Sequence, residues 1–368
     1  MTQDILKKIN IALVGCGRIS KNHIKAIILN YSKIEFVAIC DNDLERLNNA
    51  CDFAEDFLKE NSLKDFNPLK FDNYLDLIES HKEKKITIDL IVLATPSGLH
   101  SEQVILAAES GINVCTEKPM ATNWEDGVKM LSACKKANVK LFVVKQNRFN
   151  KTIELLKKQI DSNRFGKIAL VTVNVFWHRP QSYYDLDAWR GTIEMDGGAL
   201  MNQSSHYVDL IDWLFGPLEK VSALTATIKR DIEAEDTAVL QFKCGSGILG
   251  TMAVTMLTYP QNLEGSITVL GEKGTVRIGG KAVNKIEHWL FEDESPDDLI
   301  VEKASYETTS VYGFGHPAYY KNMLEVLQED KPPICDGDEG LKSLEILEAA
   351  YRSSRLNVPI SLPLNKVN

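Results

Sequence analysis

The chain has 368 residues, which is too long for one ordinary domain and comfortable for two. Its net charge of −9 argues against a nucleic-acid or anionic-membrane surface as the main partner, because such surfaces need clustered lysine and arginine. There is no apolar run of about 18 residues, and the start, "MTQDILKKIN", lacks the apolar core of a signal peptide. We therefore expect a cytoplasmic protein without a membrane span. The seven cysteines include no Cys-x-x-Cys pair, so we expect buried free thiols and no metal site.

Short apolar runs alternate with helical patterns over the first 145 or so residues. The predicted strands are Ile9–Val14, Glu35–Cys40, Ile88–Ala94, Ile112–Thr116 and Lys140–Val144. Strands that are apolar throughout and alternate with helices indicate a parallel sheet covered on both faces. Residues 1–148 are therefore predicted to form a Rossmann-type, doubly wound α/β domain. The polar stretch Asn61–Phe71 is interpreted as an insertion in a surface loop.

The pattern changes after about Phe149, where longer strand-like runs follow one another between glycine-containing turns. We predict an α+β domain over residues 149–368, built on a large, mostly antiparallel open sheet. Helices are expected from Gly198 to about Leu214, from His316 to Gln328 and from Asp338 to Ser353. One face of such a sheet would cover its own helices. The other would pack on a second subunit, because exposed apolar faces promote association.

The segment "VGCGRIS" follows the first strand and opens a helix, as in a dinucleotide-binding site. Gly15 allows the tight turn, Gly17 lets the backbone approach a pyrophosphate, and the small Ser20 stands where a third glycine or alanine is usual. Asp41 ends the second strand and would accept the ribose hydroxyls, which favours NAD over NADP. The alternative role for Asp41 is a helix N-cap. Further cofactor contacts are expected from Cys16, Arg18, Ile19, Thr95, Pro96, His100, Glu117, Lys118 and Asn147, although His100 could instead be a buried or capping histidine.

The segment "EKP" places Lys118 at the carboxyl end of a late strand of the parallel sheet, where such sheets bind ligands. Partial desolvation there would favour the neutral amine that proton transfer needs. A solvated turn is the alternative. Glu117 could hold a ribose hydroxyl or pair with a neighbour, and Pro119 would fix the turn with either a trans or a cis bond.

The combination of "GCGRIS", "EKP", "DGGALMNQSSHYVDLIDWL" and "LEAAYRSSR" resembles the Gfo/Idh/MocA family of NAD(P)-dependent sugar oxidoreductases. The resemblance implies that Lys118 and His206 are catalytic, and leaves open which of them is the base. The family often has an aspartate where this chain has Asn202. Helical spacing would place Asn202, His206 and Asp209 on one face of a helix. Asp209 could therefore orient His206, or it could be a helix residue without a role at the site.

Aromatic and cationic residues are concentrated in "WHRPQSYYDLDAWRG", and "KQNRFN" adds Arg148. Aromatic rings suit a sugar face, and arginines suit a carboxylate or phosphate, whereas the alternative is an aromatic core stripe. Together with "MLTYPQNLEGSITVLGEKGTVRIGG", this pattern resembles the family members that oxidise C3 of UDP-linked N-acetylglucosaminuronic acid in bacterial O-antigen and lipopolysaccharide pathways. The implied substrate contacts are Lys118, Arg148, Arg179, Tyr184, Arg190, Asn202 and His206. The resemblance implies a homo-oligomer, tetramer or dimer. Another sugar or inositol dehydrogenase and a non-catalytic sensor remain alternatives.

Overall fold

The computed structural model describes residues 7–63, 67–308, 311 and 313–364. The chain divides into two compact units. The first comprises residues 1–121, 125–144 and 316–341, and the second comprises residues 122–124, 145–315 and 342–368. Among the described residues, no helix is both long and apolar enough to cross a bilayer. The seven cysteines are all buried free thiols, as predicted.

The first unit is built on a six-stranded parallel sheet, which confirms the predicted doubly wound fold. Its strands are β1 (Ile9–Val14), β2 (Ile34–Cys40), β3 (Leu69–Phe71), β4 (Leu90–Leu93), β5 (Asn113–Thr116) and β6 (Leu141–Val143). The strand order is β3-β2-β1-β4-β5-β6, and every neighbouring pair is parallel. The order reverses at β1, so the crevice for a ligand opens at the carboxyl ends of β1 and β4.

Five helices connect these strands: α1 (Ser20–Leu29), α2 (Leu44–Glu60), α3 (Tyr74–Lys82), α4 (His100–Glu109) and α5 (Trp124–Ala137). The interpretation of Asn61–Phe71 as a surface loop is partly wrong, because its last three residues form β3 and pair with β2. The strand is short and lies at the sheet edge with two exposed side chains, so it lacks the apolar run that marks a buried strand. Residues 64–66 of that stretch lie outside the described residues.

The second unit contains an eight-stranded sheet, again as predicted. Its strands are β7 (Ile168–Phe176), β8 (Leu218–Ala226), β9 (Thr237–Cys244), β10 (Leu249–Thr255), β11 (Glu264–Gly271), β12 (Gly274–Gly279), β13 (Lys285–Phe291) and β14 (Ile360–Ser361). The order is β13-β12-β11-β7-β10-β9-β8-β14, in which only the β7–β10 pair is parallel. Alternation along β9 buries Leu240 and Phe242 on one face and exposes Val239 and Lys243 on the other.

The helices after the first sheet are α6 (Lys151–Asp161), α7 (Gln181–Tyr184), α8 (Ser205–Phe215), α9 (Val301–Ala304), α10 (His316–Glu329) and α11 (Gly337–Leu356). The prediction of one helix from Gly198 to about Leu214 is wrong in its first part. A π-helical turn over Ala199–Gln203 precedes α8, and α8 begins at Ser205. The buried carboxylate of Glu235 accepts a hydrogen bond from the Leu200 N–H, which gives this turn a partner outside the helix.

Residues 316–341 belong to the first unit, whereas the sequence prediction placed them within residues 149–368. Helix α10 packs against α1, and the Tyr320 hydroxyl lies 2.8 Å from Nδ1 of the fully buried His23. The apolar and aromatic side of α10 thus completes the core of the Rossmann-type unit. This return of the chain comes about 170 residues after β6, so no local pattern in the sequence indicates it.

Candidate active site

The glycine-rich loop between β1 and α1 has the geometry that a dinucleotide requires. Gly15 has a φ of +95°, and a Cβ there would lie 2.6 Å from the carbonyl carbon of Ala94. A Cβ on Gly17, by contrast, would meet no described heavy atom within 4 Å. The backbone at Gly17 therefore faces open space beside the N-terminus of α1, where a pyrophosphate can approach the N–H groups.

Asp41 follows β2 and lies next to this loop. Its Oδ2 accepts a hydrogen bond of 2.6 Å from the Cys16 N–H, and its Oδ1 accepts one of 2.9 Å from the Asp43 N–H. The N-cap of α2 is Asp43, which accepts hydrogen bonds from the backbone of Glu45 and Arg46. The alternative role of Asp41 as an N-cap is therefore wrong. Its carboxylate holds the loop and carries the negative charge that disfavours a 2′-phosphate.

The other predicted cofactor contacts fall into three groups. Arg18 and Ile19 lie in the loop immediately before α1, which begins at Ser20. Thr95 and Pro96 follow β4, and the Thr95 hydroxyl donates to Oε1 of Gln103 at 2.6 Å. In the second unit, Asn147 is buried, and its Oδ1 has no hydrogen-bond partner among the described residues. Such a buried polar atom can be satisfied by a ligand.

His100 is fully buried and lies between two turns. Its Nδ1 is 3.0 Å from the Pro119 carbonyl oxygen, and its Nε2 is 3.1 Å from the Thr95 carbonyl oxygen. Burial lowers the pKa of His100, although both carbonyls act in the opposite direction. The ring thus links the turn after β4 to the turn after β5, in agreement with the alternative of a buried histidine.

The "EKP" turn follows β5 directly and brings the half-buried Lys118 to the carboxyl end of the sheet. The Lys118–Pro119 peptide bond is cis, one of the two forms expected. Glu117 is buried, with its Oε1 3.0 Å from His23 Nε2, and its Oε2 accepts a hydrogen bond of 3.1 Å from the Lys118 N–H. Of the two expected roles of Glu117, the structure shows the pairing with neighbours. Burial favours the neutral acid, but the contacts with His23 and His316 outweigh it and hold the pKa of Glu117 well below its usual range.

The second unit carries the other candidate catalytic residue, His206, in the first turn of α8. His206 is buried, and its Nε2 lies 3.1 Å from Nε2 of Gln146. With the amide in this orientation, the Gln146 N–H donates to the unprotonated ring nitrogen. Gln146 begins a short 3₁₀-helix just after β6, and the sequence analysis missed it. Its position at the end of a parallel strand was the available signal.

Asp209 does not orient His206, because Arg148 engages both of its oxygens. Nε of Arg148 donates to Oδ2 at 2.9 Å, and the second guanidinium nitrogen donates to Oδ1 at 2.7 Å. Oδ1 also accepts from the Ser343 hydroxyl at 3.0 Å and lies 3.6 Å from Nζ of Lys145. Burial alone would raise the pKa of Asp209, but Arg148 and Lys145 lower it to about 2. Arg148, expected to bind substrate, is itself buried and holds α8 through this ion pair.

Asn202 lies in the π-helical turn rather than on a face shared with His206. Its side-chain amide donates to Oδ1 of Asp196, whose Oδ2 accepts from the Gly191 N–H at 2.7 Å. Asn202 is therefore held by an acidic partner that no helical spacing predicts.

Glu235 supports the same turn and was missed from sequence. Its carboxylate accepts hydrogen bonds from the Leu200 N–H at 2.8 Å and from the Tyr351 hydroxyl at 2.9 Å. A Cβ on Gly198 would lie 1.8 Å from Oε2 of Glu235, so this close approach requires glycine. Burial raises the pKa of Glu235 more than these donors lower it.

The predicted aromatic and cationic segment forms one cluster around Tyr183. The guanidinium carbon of Arg179 lies 5.5 Å from the centre of the Tyr183 ring, and that of Arg190 lies 4.8 Å away. Arg179 also donates to Oε1 of Gln203 at 3.0 Å, and Arg190 donates to Oδ2 of Asp187 at 2.9 Å. Tyr184 is buried, which raises its pKa. The cluster thus combines core packing with stacked cations.

Two family models match the chain. The model of the oxidoreductase family's NAD-binding Rossmann fold (Gfo/Idh/MocA) matches residues 9–145, and that of the family's C-terminal alpha/beta domain matches residues 157–362. Among curated proteins, D-apiose dehydrogenase from Paraburkholderia graminis is 24% identical over 96% of this chain and 90% of its own length.

Two solved structures are much more similar. The WlbA dehydrogenase from Bordetella pertussis, in complex with NADH and UDP-GlcNAcA, is 55% identical with a TM-score of 0.89, covering 98% of this chain and 99% of its own. The WlbA dehydrogenase from Chromobacterium violaceum, with the same two ligands, is 49% identical with a TM-score of 0.87, covering 100% and 98%.

Proposed function

The chain belongs to the Gfo/Idh/MocA oxidoreductase family, and we propose that it is an NAD-dependent dehydrogenase that oxidises C3 of UDP-linked N-acetylglucosaminuronic acid to a 3-keto sugar. The observation that carries this proposal is the 55% identity to a dehydrogenase crystallised with NADH and UDP-GlcNAcA. The open backbone at Gly17 and the carboxylate of Asp41 support the choice of NAD as the cofactor.

In this proposal Lys118 and His206 take part in proton transfer from the sugar hydroxyl. Bound NAD supplies the acceptor for the hydride that leaves C3. One of the two residues takes the proton of the 3-hydroxyl. Gln146 supports the role of His206, because the 3.1 Å contact between its amide nitrogen and Nε2 of His206 holds the imidazole ring in place.

The stacked guanidinium groups of Arg179 and Arg190 are proposed to engage the sugar carboxylate or the diphosphate, with Tyr184 and Asn202 beside them. Arg148 does not belong to the proposed substrate-binding residues, since its ion pair with Asp209 holds α8. Asn147 is proposed to use its buried Oδ1 toward the cofactor.

We further propose a homo-oligomer, tetramer or dimer, formed through the open face of the eight-stranded sheet. Leu224, Val239, Leu249 and Leu290 on strands of this sheet have exposed fractions of 50% or more. A continuous sheet face carrying such side chains favours association. The proposed setting is the cytoplasm, in a bacterial surface-sugar pathway such as O-antigen or lipopolysaccharide synthesis.

The test is the appearance of NADH absorbance when the protein is given NAD and UDP-N-acetylglucosaminuronate. We expect Lys118→Met to lower the rate at least about 100-fold, the scale of general acid–base catalysis. Lys129→Met, which changes an exposed lysine on α5, is the matched control and should leave the rate unchanged. Activity with free sugars or inositols but not with the UDP-sugar would overturn the substrate assignment.

A further inference from the structure

The buried side chains behind the Lys118 turn form a connected cluster. His23 on α1 contacts Tyr320 on α10 through Nδ1 at 2.8 Å and Glu117 through Nε2 at 3.0 Å. His316, at the start of α10, has its Nε2 3.8 Å from the same oxygen of Glu117. The exposed fractions are 0% for His23, 0% for Tyr320, 3% for His316 and 6% for Glu117, so water does not compete for these contacts.

The acceptor-only carboxylate of Glu117 fixes one proton in this cluster. Glu117 is ionised, so His23 must carry a proton on Nε2 and donate it to Oε1. Burial raises the pKa of Tyr320 well above its ordinary value, so this residue keeps its hydroxyl proton. Nδ1 of His23 lies 2.8 Å from that hydroxyl, which can donate a hydrogen bond to this nitrogen or accept one from it. The three side chains therefore form one continuous chain of hydrogen bonds, in which Nε2 of His23 donates to Oε1 of Glu117.

The far end of this chain is the backbone of Lys118. Oε2 of Glu117 accepts the Lys118 N–H at 3.1 Å, while His100 lies 3.0 Å from the carbonyl oxygen of Pro119 on the other side of the turn. Lys118 lies beyond the end of β5, so its N–H is not part of the sheet hydrogen bonding. The direction in which the Lys118 side chain leaves the backbone thus depends on the carboxylate of Glu117.

The same donor set could in principle bind a metal ion, because one ligand atom from each of His23, Glu117 and His316 lies within 4.8 Å of the others. The distances favour hydrogen bonding instead. His23 and Glu117 are already 3.0 Å apart in a donor–acceptor pair, and His23 is held on its other nitrogen by Tyr320. The described residues at this cluster also leave it fully buried, whereas a metal site needs a path of entry.

We propose that the Tyr320–His23–Glu117 chain positions Lys118 for proton transfer, so that these three residues are positioning residues. The inference rests on the proposed function, in which Lys118 acts at the substrate hydroxyl. The chain of hydrogen bonds also connects α1, the helix that begins at the glycine-rich loop, to the turn that carries Lys118. In this role, His23, Glu117 and Tyr320 do not need to touch the substrate.

The central test compares two substitutions of His23 and one of Glu117. Gln can donate from Nε2 as histidine does, whereas Leu is of similar size and cannot. We expect His23→Leu and Glu117→Gln to lower kcat roughly 10- to 100-fold, since a displacement of about 1 Å at a reacting group costs up to about 100-fold. The dissociation constant of NADH should change less than about threefold. His23→Gln should restore most of kcat, and Tyr320→Phe should lower it only about threefold, because the His23–Glu117 bond remains.

A second readout does not need the substrate. Competitive acylation followed by mass spectrometry measures the reactivity of the Lys118 amine against pH. We expect the Lys118 profile to shift in His23→Leu and Glu117→Gln but not in His23→Gln. Exposed Lys243 is the internal reference. Matched control variants are His288→Leu, Glu109→Gln and Tyr31→Phe, all at exposed positions, and they should leave both readouts unchanged.

The outcomes separate the inference from the function on which it rests. If wild type does not oxidise the UDP-sugar but the Lys118 profile shifts as described, the proposed function fails and the positioning chain stands. An active enzyme whose kcat and Lys118 profile are untouched by His23→Leu and Glu117→Gln would overturn the positioning chain. So would elemental analysis showing one metal ion per purified chain that is lost in His23→Leu.

Discussion

The Lys118 turn of the first unit and the His206 helix of the second are both held by buried carboxylates, but the partners differ. Glu117 accepts hydrogen bonds from His23 and from a backbone N–H, and the other ring nitrogen of His23 lies 2.8 Å from the Tyr320 hydroxyl. Asp209 forms an ion pair with Arg148 and lies near Lys145. The first arrangement fixes a backbone segment through directional hydrogen bonds. The second fixes a helix through charges, which must stay paired because they are buried.

The second unit also offers an internal contrast between Asp209 and Glu235. Asp209 has cationic partners, and its pKa falls to about 2. Glu235 has a backbone N–H and a tyrosine hydroxyl as partners, and no cation is among the groups that shift its pKa. Burial raises the pKa of Glu235. Hydrogen bonds from neutral donors therefore do not offset burial for Glu235, whereas cations do so for Asp209. This difference predicts opposite responses to substitution and to pH.

The largest expected effect is that of Asp209→Asn. The substitution leaves the guanidinium of Arg148 buried without its anionic partner, and such a loss costs about 3–5 kcal/mol of unfolding free energy. Urea denaturation at neutral pH measures it. The matched control is Asp161→Asn, which removes an exposed partner of Lys157 on α6 and should have no measurable effect. Equal stability of the two variants would mean that the Arg148–Asp209 pair does not hold α8.

The next effect is the acid sensitivity that Asp209 gives to the wild-type protein. Its pKa is lowered from 3.8 to about 2 on folding, so its contribution to stability is present above about pH 4 and is lost as the pH falls toward 2. The difference of nearly two pKa units corresponds to about 2 kcal/mol. Unfolding free energies measured from pH 5 down to pH 2.5 should therefore fall more steeply in wild type than in Asp209→Asn. Parallel curves would contradict the assigned pKa of Asp209.

A third prediction concerns Gln146, whose amide contacts the proposed catalytic residue His206. Gln146→Met keeps the length of the side chain and removes the hydrogen bond to the ring. We expect kcat to fall about tenfold, the equivalent of one hydrogen bond to a catalytic group. A fall in stability without any change in kcat would show that Gln146 is a structural contact only.

Much of the fold and part of the site could be predicted from the sequence, for local reasons. The parallel strands are continuous apolar runs, and Gly15, Gly17 and Lys118 stand at fixed places relative to those runs. Strand β3 was not predicted, because it is short and exposed at the sheet edge. Helix α3 follows it directly and was missed with it.

The supporting residues could not be predicted, because their partners are distant in sequence. Arg148 and Asp209 are 61 residues apart, and Glu235 and Tyr351 are 116 apart. His23 and Tyr320, at a separation of 297, join the chain's beginning to a helix near its end. Helical spacing suggested instead that Asp209 could orient His206, since spacing gives the face of a helix but not the residues packed against it.

The smallest expected effect, and the sharpest test of the contrast, is that of Glu235→Gln. The folded-state pKa of Glu235 is raised above its ordinary value of 4.5, so its favourable contribution is complete below about pH 4.5 and is lost as the pH rises through the folded-state pKa. Glutamine stays neutral and keeps an oxygen that accepts from the Leu200 N–H and the Tyr351 hydroxyl. We therefore expect Glu235→Gln to be at least as stable as wild type at pH 8 and to lose that advantage near pH 4.

Glu235→Ala, which leaves both donors without a partner, should be destabilised by about 1–3 kcal/mol at both pH values. Thermal denaturation of the three proteins at pH 4 and pH 8 measures these differences. A loss of stability in Glu235→Gln at pH 8 comparable to that of Asp209→Asn would show that the charge of Glu235 is needed, and the contrast between the two carboxylates would then fail.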